Sequence, residues 1–202
     1  MNTEHESGAL HLRLATPADA QALQAIYAPY IAQAVTFEYD VPSVEEFRTR
    51  IADRYTRYPY LILEEEGQAL AYAYASLYKQ RAAYQWDVEL SIYVTQGCCG
   101  KGCGRILYTA LLAILEAQGV HNVFGIVGMP NENSKRLHAA FGFEQVGVQR
   151  RAGYKCGAWH DVLIYQKSIG SFDTPPTPVI PMAQLDEAVI TPLLAAALRP
   201  LT

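Results

Sequence analysis

Apolar and polar positions alternate over residues 10–14, as in a strand with one buried face. Thr16-Pro17 then reads as a helix start, a capping threonine followed by proline at the first helical position. The helical period continues to about Gln33. Ser43-Val44-Glu45-Glu46 is a capping box that opens a second helix ending near Tyr55. Strand-like runs follow at 60–64 and 69–77, on either side of a turn at Glu66-Gly67, and again at 86–94. Leu107, Leu111, Ile114 and Leu115 fall on one face of a helix. Residues 122–127 are short and apolar, as a strand covered on both faces should be. A helix over 131–141 is stopped by Gly142, and two more strands are expected at 145–151 and 159–166. The resulting order, β-α-α-β-β-β-α-β-α-β-β, is mixed α/β.

Beyond Ile169 the pattern changes. Pro175, Pro176, Pro178 and Pro181 mark an extended linker, and Thr191-Pro192 reads as the cap of a short apolar helix through Leu198. Such a helix needs a surface to dock on. The chain therefore divides into a domain over 8–168 and a tail over 169–202. At 202 residues with 50% hydrophobic and 18% charged positions, the composition is that of an ordinary globular protein. A net charge of −4 gives no reason to expect a nucleic-acid partner. No apolar run is long enough to span a bilayer and the first eight residues are not a signal peptide, so no membrane partner and a cytoplasmic location are expected.

The chemically loaded stretch is 89–105. A strand carrying Glu89 runs into Gly97-Cys98-Cys99-Gly100-Lys101-Gly102-Cys103-Gly104-Arg105, and a helix follows. Glycines allow close backbone approach to a ligand, and a helix N-terminus adds free N–H groups and a positive dipole end. That combination is a pyrophosphate cradle. It is not a Walker loop, because Gly100-Lys101 is followed by Gly102 where that loop has Ser or Thr. Nor is it a dinucleotide fingerprint, which would want a small residue at Leu107. The carboxylate of Glu89 is a candidate general base. Its alternative is a half-buried strand carboxylate paired with a lysine. Cys98, Cys99 and Cys103 form one cluster without a partner pair, and Cys156 is remote, so no metal site is expected. The bland reading is small residues tolerated in a tight loop.

The loop resembles the acetyl-CoA loop of the GNAT N-acetyltransferases, Gln/Arg-x-x-Gly-x-Gly/Ala, with Gly102 and Gly104 on the pattern and Cys99 in place of Gln or Arg. Asn131-x-x-Ser134-x-x-Leu137-His138-x-x-x-Gly142-Phe143 resembles the family's next motif, with His138 where a general-acid Tyr usually stands. The resemblance implies the GNAT fold, a mixed central sheet flanked by helices, with acetyl-CoA as co-substrate. It implies contacts to acetyl-CoA from Ile92, Tyr93 and Val94, from Gly100, Lys101, Gly102, Cys103, Gly104 and Arg105, and from Asn131 and Ser134. A narrower likeness covers most of 10–168. Arg57-Tyr58-Pro59, Lys79-x-Arg81-x-Ala83-Tyr84-x-Trp86, Tyr108-Thr109, and Gly153-Tyr154-Lys155-x-Gly157-x-Trp159-His160-Asp161-Val162 are similar to the phosphinothricin N-acetyltransferases and their amino-acid-acetylating relatives. That subfamily often has arginine where this chain has Glu38, and the likeness implies a homodimer.

On this reading the enzyme acetylates the amine of a small amino acid or analogue. An amine attacks a thioester only as the free base, and Glu89 is the candidate acceptor of its proton. A strand N–H near Tyr93 or Val94 is the candidate donor to the tetrahedral oxyanion. His138 is the candidate donor to the leaving thiolate. Lys79 and Arg81 suit an anionic substrate end, with Phe37 and Tyr84 as pocket walls. The alternatives are acetylation of a polyamine or protein N-terminus, or a CoA-binding, cysteine-based sensor without turnover.

Overall fold

The computed structural model describes residues 9–99 and 101–199. It contains β1 (Leu10–Leu14), α1 (Ala20–Tyr27), α2 (Val44–Ala52), β2 (Tyr60–Glu65), β3 (Gln68–Leu77) and β4 (Asp87–Val94). These are followed by α3 (Cys103–Ala117), β5 (Asn122–Gly128), α4 (Glu132–Ala140), β6 (Glu144–Lys155), β7 (Ala158–Ser168) and α5 (Glu187–Ala197). The strands form a seven-stranded sheet in the order β1-β2-β3-β4-β5-β7-β6. β4 and β5 pair in parallel, and the other neighbours pair antiparallel. Among the described residues no helix is long and apolar enough to cross a membrane.

Strand alternation sorts the core into two layers. Leu61, Leu63, Ala71, Ala73, Val88 and Leu90 face α3, whose Leu107, Leu111, Ile114 and Leu115 are all buried. Tyr60, Ile62 and Tyr72 face the other way, onto Leu23, Ile26 and Tyr27 of α1 and Phe47 and Ile51 of α2. Ser43 caps α2 as expected, its hydroxyl accepting from the Glu46 N–H at 3.1 Å.

Two expected helices differ from the structure. The span 16–33 is a 3₁₀ turn, then α1, then a second 3₁₀ stretch over Ala28–Ala32. Pro29 lacks the N–H that would bond the carbonyl four residues back, so α-helical pairing stops before it. The C-terminal helix starts at Glu187, not at Thr191-Pro192. The Asp186 carboxylate caps it by accepting from the Ala188 N–H at 2.8 Å, and Pro192 lies inside. Burial of Ile190 against the main core holds the turn that precedes the proline. The tail as a whole is strapped onto the domain. Trp86 donates to the Thr177 carbonyl at 2.7 Å, Ile180 donates to Gln118 at 2.8 Å, and Met182 and Ala183 donate to Arg57 and Thr56.

One feature of the sheet creates the site. β4 and β5 are paired only from Asp87↔Asn122 to Leu90↔Gly125. β4 runs on to Val94 beside β3, while β5 runs on to Gly128 beside β7. Past residue 90 the two strands separate, and a cleft opens in the middle of the sheet.

Candidate active site

Three neighbouring cavities with shared lining residues follow this cleft. The first is a groove of about 510 Å³ lined by Ile92, Val94, Gly102, Gly104, Arg105, Asn131 and Ser134, with Tyr30, Cys98, Cys99 and Arg136. Gly102 sits at the N-cap of α3 with φ of +87°, a left-handed conformation that favours glycine. That turn aims the first N–H groups of a 15-residue helix at the groove. Asn131 caps α4, its carbonyl oxygen accepting from the Ser134 N–H at 3.1 Å, and the amide NH₂ is not used in that bond. Lys101 is exposed on the loop, and Cys103 is buried beneath it, with burial pushing its thiol up. Gly100 lies outside the described residues. Arg136, which adds a second guanidinium to the groove, carries no sequence signal that singles it out.

The second cavity sits at the fork, where Ile92, Ser91 and Tyr93 of β4 meet Ile126 and Val127 of β5 and Tyr108, Asn131, Ser134 and His138. Hydrogen bonds fix which strand amides point here. Tyr78 donates to Asp87 and Thr95 to Leu70, so the odd positions of β4 bond β3. Even positions therefore face β5. Val94 donates to the Tyr30 hydroxyl at 3.2 Å, and that hydroxyl donates back to the Val94 carbonyl at 2.6 Å. Ile92 is the even position just past the last β4–β5 pair, so its N–H is turned into the fork. The amides of Tyr93 and Val94 are engaged elsewhere, so the strand N–H left facing the fork is that of Ile92 and not of the two residues expected.

His138 is 2% exposed at the fork. Its Nδ1 lies 2.8 Å from the Ser134 carbonyl, which can only accept, so Nδ1 carries the proton. Nε2 is then an acceptor, and the Tyr108 hydroxyl, 3.3 Å away, donates to it. The ring stacks on Tyr165 at 4.9 Å. Burial lowers its pKa, only partly offset by the bond to Ser134. Neutral His138 thus accepts the Tyr108 hydroxyl proton through its Nε2 lone pair and carries no free proton of its own at the fork.

The third cavity, which shares Ser91 and Tyr93 with the fork, holds Glu89. It is walled by Tyr27, Tyr60, Tyr72, Tyr74 and Tyr93 and carries Glu38, Arg50 and Arg54. The rings stack in a ladder, Tyr60 on Tyr74 at 4.7 Å and Tyr72 on Tyr93 at 5.3 Å. Burial among them raises the carboxyl pKa of Glu89. Among the described residues Glu89 makes no ion pair, so the lysine-paired alternative has no counterpart here. Lys155, itself buried, donates to the carbonyls of Thr36 and Glu38 at 2.7 Å each, which fixes the segment that brings Glu38 to this cavity.

The other candidate substrate residues lie outside the Glu89 cavity. Lys79 is exposed, with its ammonium 4.7 Å from the Tyr84 ring centroid and 5.0 Å from that of Tyr78. It lines a neighbouring outer cavity together with Arg54 and Arg57. Arg81 is exposed and begins a 3₁₀ turn. Phe37 packs over Gly153, where an added Cβ would come within 2.4 Å of its ring, and lies 6.4 Å from His160. Among the described residues no group of three His, Cys, Asp or Glu side chains is arranged to hold a metal.

Comparison with known proteins agrees with this architecture. Residues 12–164 match the acetyltransferase (GNAT) domain model. The chain is 40% identical over 177 residues to the phosphinothricin N-acetyltransferase of Streptomyces viridochromogenes, covering 87% of this chain and 96% of that one. It is 28% identical to an L-methionine sulfoximine/L-methionine sulfone acetyltransferase of Salmonella typhimurium, over 81% of this chain and 97% of the relative. A GNAT superfamily phosphinothricin acetyltransferase of Sinorhizobium meliloti, crystallised in complex with AcCoA, superposes with a TM-score of 0.81. It is 33% identical, and the match covers 87% of this chain and 97% of that one. With a forked β4–β5 pair, a glycine loop capping α3 and a family match over most of its length, this chain belongs to the GNAT acetyltransferase family.

Proposed function

We propose that this enzyme transfers the acetyl group of acetyl-CoA to the amine of a small amino acid or analogue. The observation that carries the reading is that the cavity at the fork shares lining residues with both the groove and the Glu89 pocket. The cofactor groove and the Glu89 pocket flank the same fork, which places a thioester held on one side next to an amine held on the other. In the reaction the amine gives a proton to Glu89 and its lone pair forms a bond to the thioester carbonyl carbon. Negative charge gathers on the former carbonyl oxygen, where the Ile92 N–H stabilises it. Collapse breaks the C–S bond, and the thiolate, leaving beside the Tyr108 hydroxyl, takes up the proton that the attacking nitrogen sheds as it becomes an amide. His138 holds that hydroxyl in place through Nε2. The groove's Arg105, Arg136 and helix N-terminus suit the pyrophosphate, and Asn131 and Ser134 suit the pantetheine arm.

Two relatives support the acceptor class, since their names include phosphinothricin and methionine sulfone, both amino-acid analogues. A homodimer is part of the proposal. Trp159 is 61% and Tyr154 50% exposed, their rings pack edge to face at 5.5 Å, and the Tyr39 hydroxyl bonds the Tyr154 carbonyl. An exposed aromatic cluster of this kind suits a partner surface.

Glu89→Gln tests the assignment. Turnover is expected to fall on the order of 10²–10⁴-fold with acetyl-CoA affinity unchanged. The native rate rises with pH through a midpoint above the ordinary carboxylate range, and the variant lacks that limb. Stability moves in the opposite direction. A carboxyl whose folded pKa is raised binds its proton more tightly in the folded state, so stability falls as pH rises from the ordinary pKa to the raised one. At neutral pH the variant is therefore expected to unfold at a temperature no lower than the native enzyme. A near-normal rate across pH would remove Glu89 as the base.

A further inference from the structure

The Glu89 pocket is lined by four charged side chains, Glu38, Arg50, Arg54 and Glu89. Arg50 is already neutralised, bonded by Glu38 at 2.8 Å and Glu46 at 2.6 Å. Arg54 is not. Its Nη1 donates to the Arg50 carbonyl at 2.7 Å, and its guanidinium carbon lies 5.7 Å from the Tyr74 ring centroid. Among the described residues it makes no ion pair and its remaining N–H groups have no protein acceptor. The pocket therefore holds one carboxylate and one guanidinium for which the described residues supply no ion-pair partner. A half-buried guanidinium of this kind matches a planar oxyanion.

We infer that Arg54 binds the anionic group of the acceptor and is the residue that makes the enzyme prefer amino acids to plain amines. The inference rests on the amino-acid reading of the acceptor given above. It assigns the two ends of a zwitterion, the ammonium to Glu89 and the oxyanion to Arg54. Arg54 also borders the outer cavity where Arg57 and Lys79 stand with Asp53 as the single acid, so an anion approaching from that side meets an excess of positive charge on its way to Arg54. Arg81 lines neither cavity.

The test compares L-methionine sulfone with its decarboxylated amine in the native enzyme and in Arg54→Gln, Arg54→Lys and Arg81→Ala. The native enzyme is expected to prefer the amino acid by about ten- to a hundred-fold in kcat/KM. Arg54→Gln should raise KM for the amino acid by that factor. It should leave kcat, the rate with the plain amine and the KM for acetyl-CoA close to native. Arg54→Lys should recover part of the preference, and Arg81→Ala should keep it. Calorimetric binding of acetyl-CoA to each variant checks folding, and calorimetric binding of methionine sulfone separates the two ideas. Arg54-dependent binding without acetylation would sink the proposed reaction and leave the anion site standing. Acetylation with equal preference in native enzyme and Arg54→Gln, or loss of preference in Arg81→Ala alone, would overturn the role of Arg54 and leave the reaction standing. A native enzyme that neither binds nor acetylates methionine sulfone would overturn both.

Discussion

Gly125 on β5 is a glycine for a reason that lies thirteen residues downstream. A Cβ built there would sit 2.1 Å from His138 Nε2, on the atom that receives the Tyr108 hydroxyl. The ring cannot retreat, because Tyr165 stacks on one side and Phe143 meets it edge-on at 4.9 Å. Gly125→Ala should therefore destabilise the fold by about 1–3 kcal/mol, the usual cost of overpacking, as read from the denaturant midpoint. In the His138→Ala background the same substitution should cost clearly less, since the clashing ring is gone. Equal costs in both backgrounds would mean that the backbone, not the ring, resents the methyl. At this scale Glu89 and His138 are candidates already in the sequence, because their residue types stand out in motifs. Ile92 and Tyr108 also fall in family motifs, but the roles proposed for them, like the one proposed for Arg54, come from what faces them in the fold.

Among the elements, the loop into α3 is where local chemistry speaks most directly. Gly102 adopts φ of +87° with nothing within 4 Å of a built Cβ, so a side chain there is opposed by backbone strain and not by crowding. Gly102→Val should cost about 1–3 kcal/mol in stability. It should weaken acetyl-CoA binding by more than that strain alone, because any relaxation re-aims the N–H groups of the first helical turn. Calorimetry of acetyl-CoA binding beside thermal unfolding checks both, and unchanged affinity would take the loop out of the cofactor site. The amphipathic face of α3 and the Ser43 cap of α2 were legible because each depends on residues within a turn or two. The start of α5 was not. Its cap at Asp186 competes with a plausible one at Thr191, and the contest is settled by Ile190 docking on a distant core.

For the whole molecule, the tail and the sheet decide integrity and assembly. Met182, Ile190 and Ala197 are part of the main core, and the Gln118 amide donates to the Ile180 carbonyl at 2.6 Å. A chain ending at Ser168 loses these contacts. Burying a side chain such as Met or Ile is worth roughly 1.5–3 kcal/mol, so the truncated chain should melt well below the full one. If the Trp159–Tyr154 surface is the subunit contact, light scattering should still report a dimer for both chains, and a monomer in both would end the dimer proposal. The sequence alone determined the alternating strands, the helix faces, the glycine loop with its carboxylate-bearing strand, and through the motifs the family. All of these are written in spacings of a few residues, which backbone geometry reads directly. The tertiary structure alone decided where β4 leaves β5, which strand amide is left free, that Tyr108 meets His138, and that Arg54 shares a pocket with Glu89. Those are meetings of residues tens of positions apart, fixed by strand order and core packing that no local period encodes.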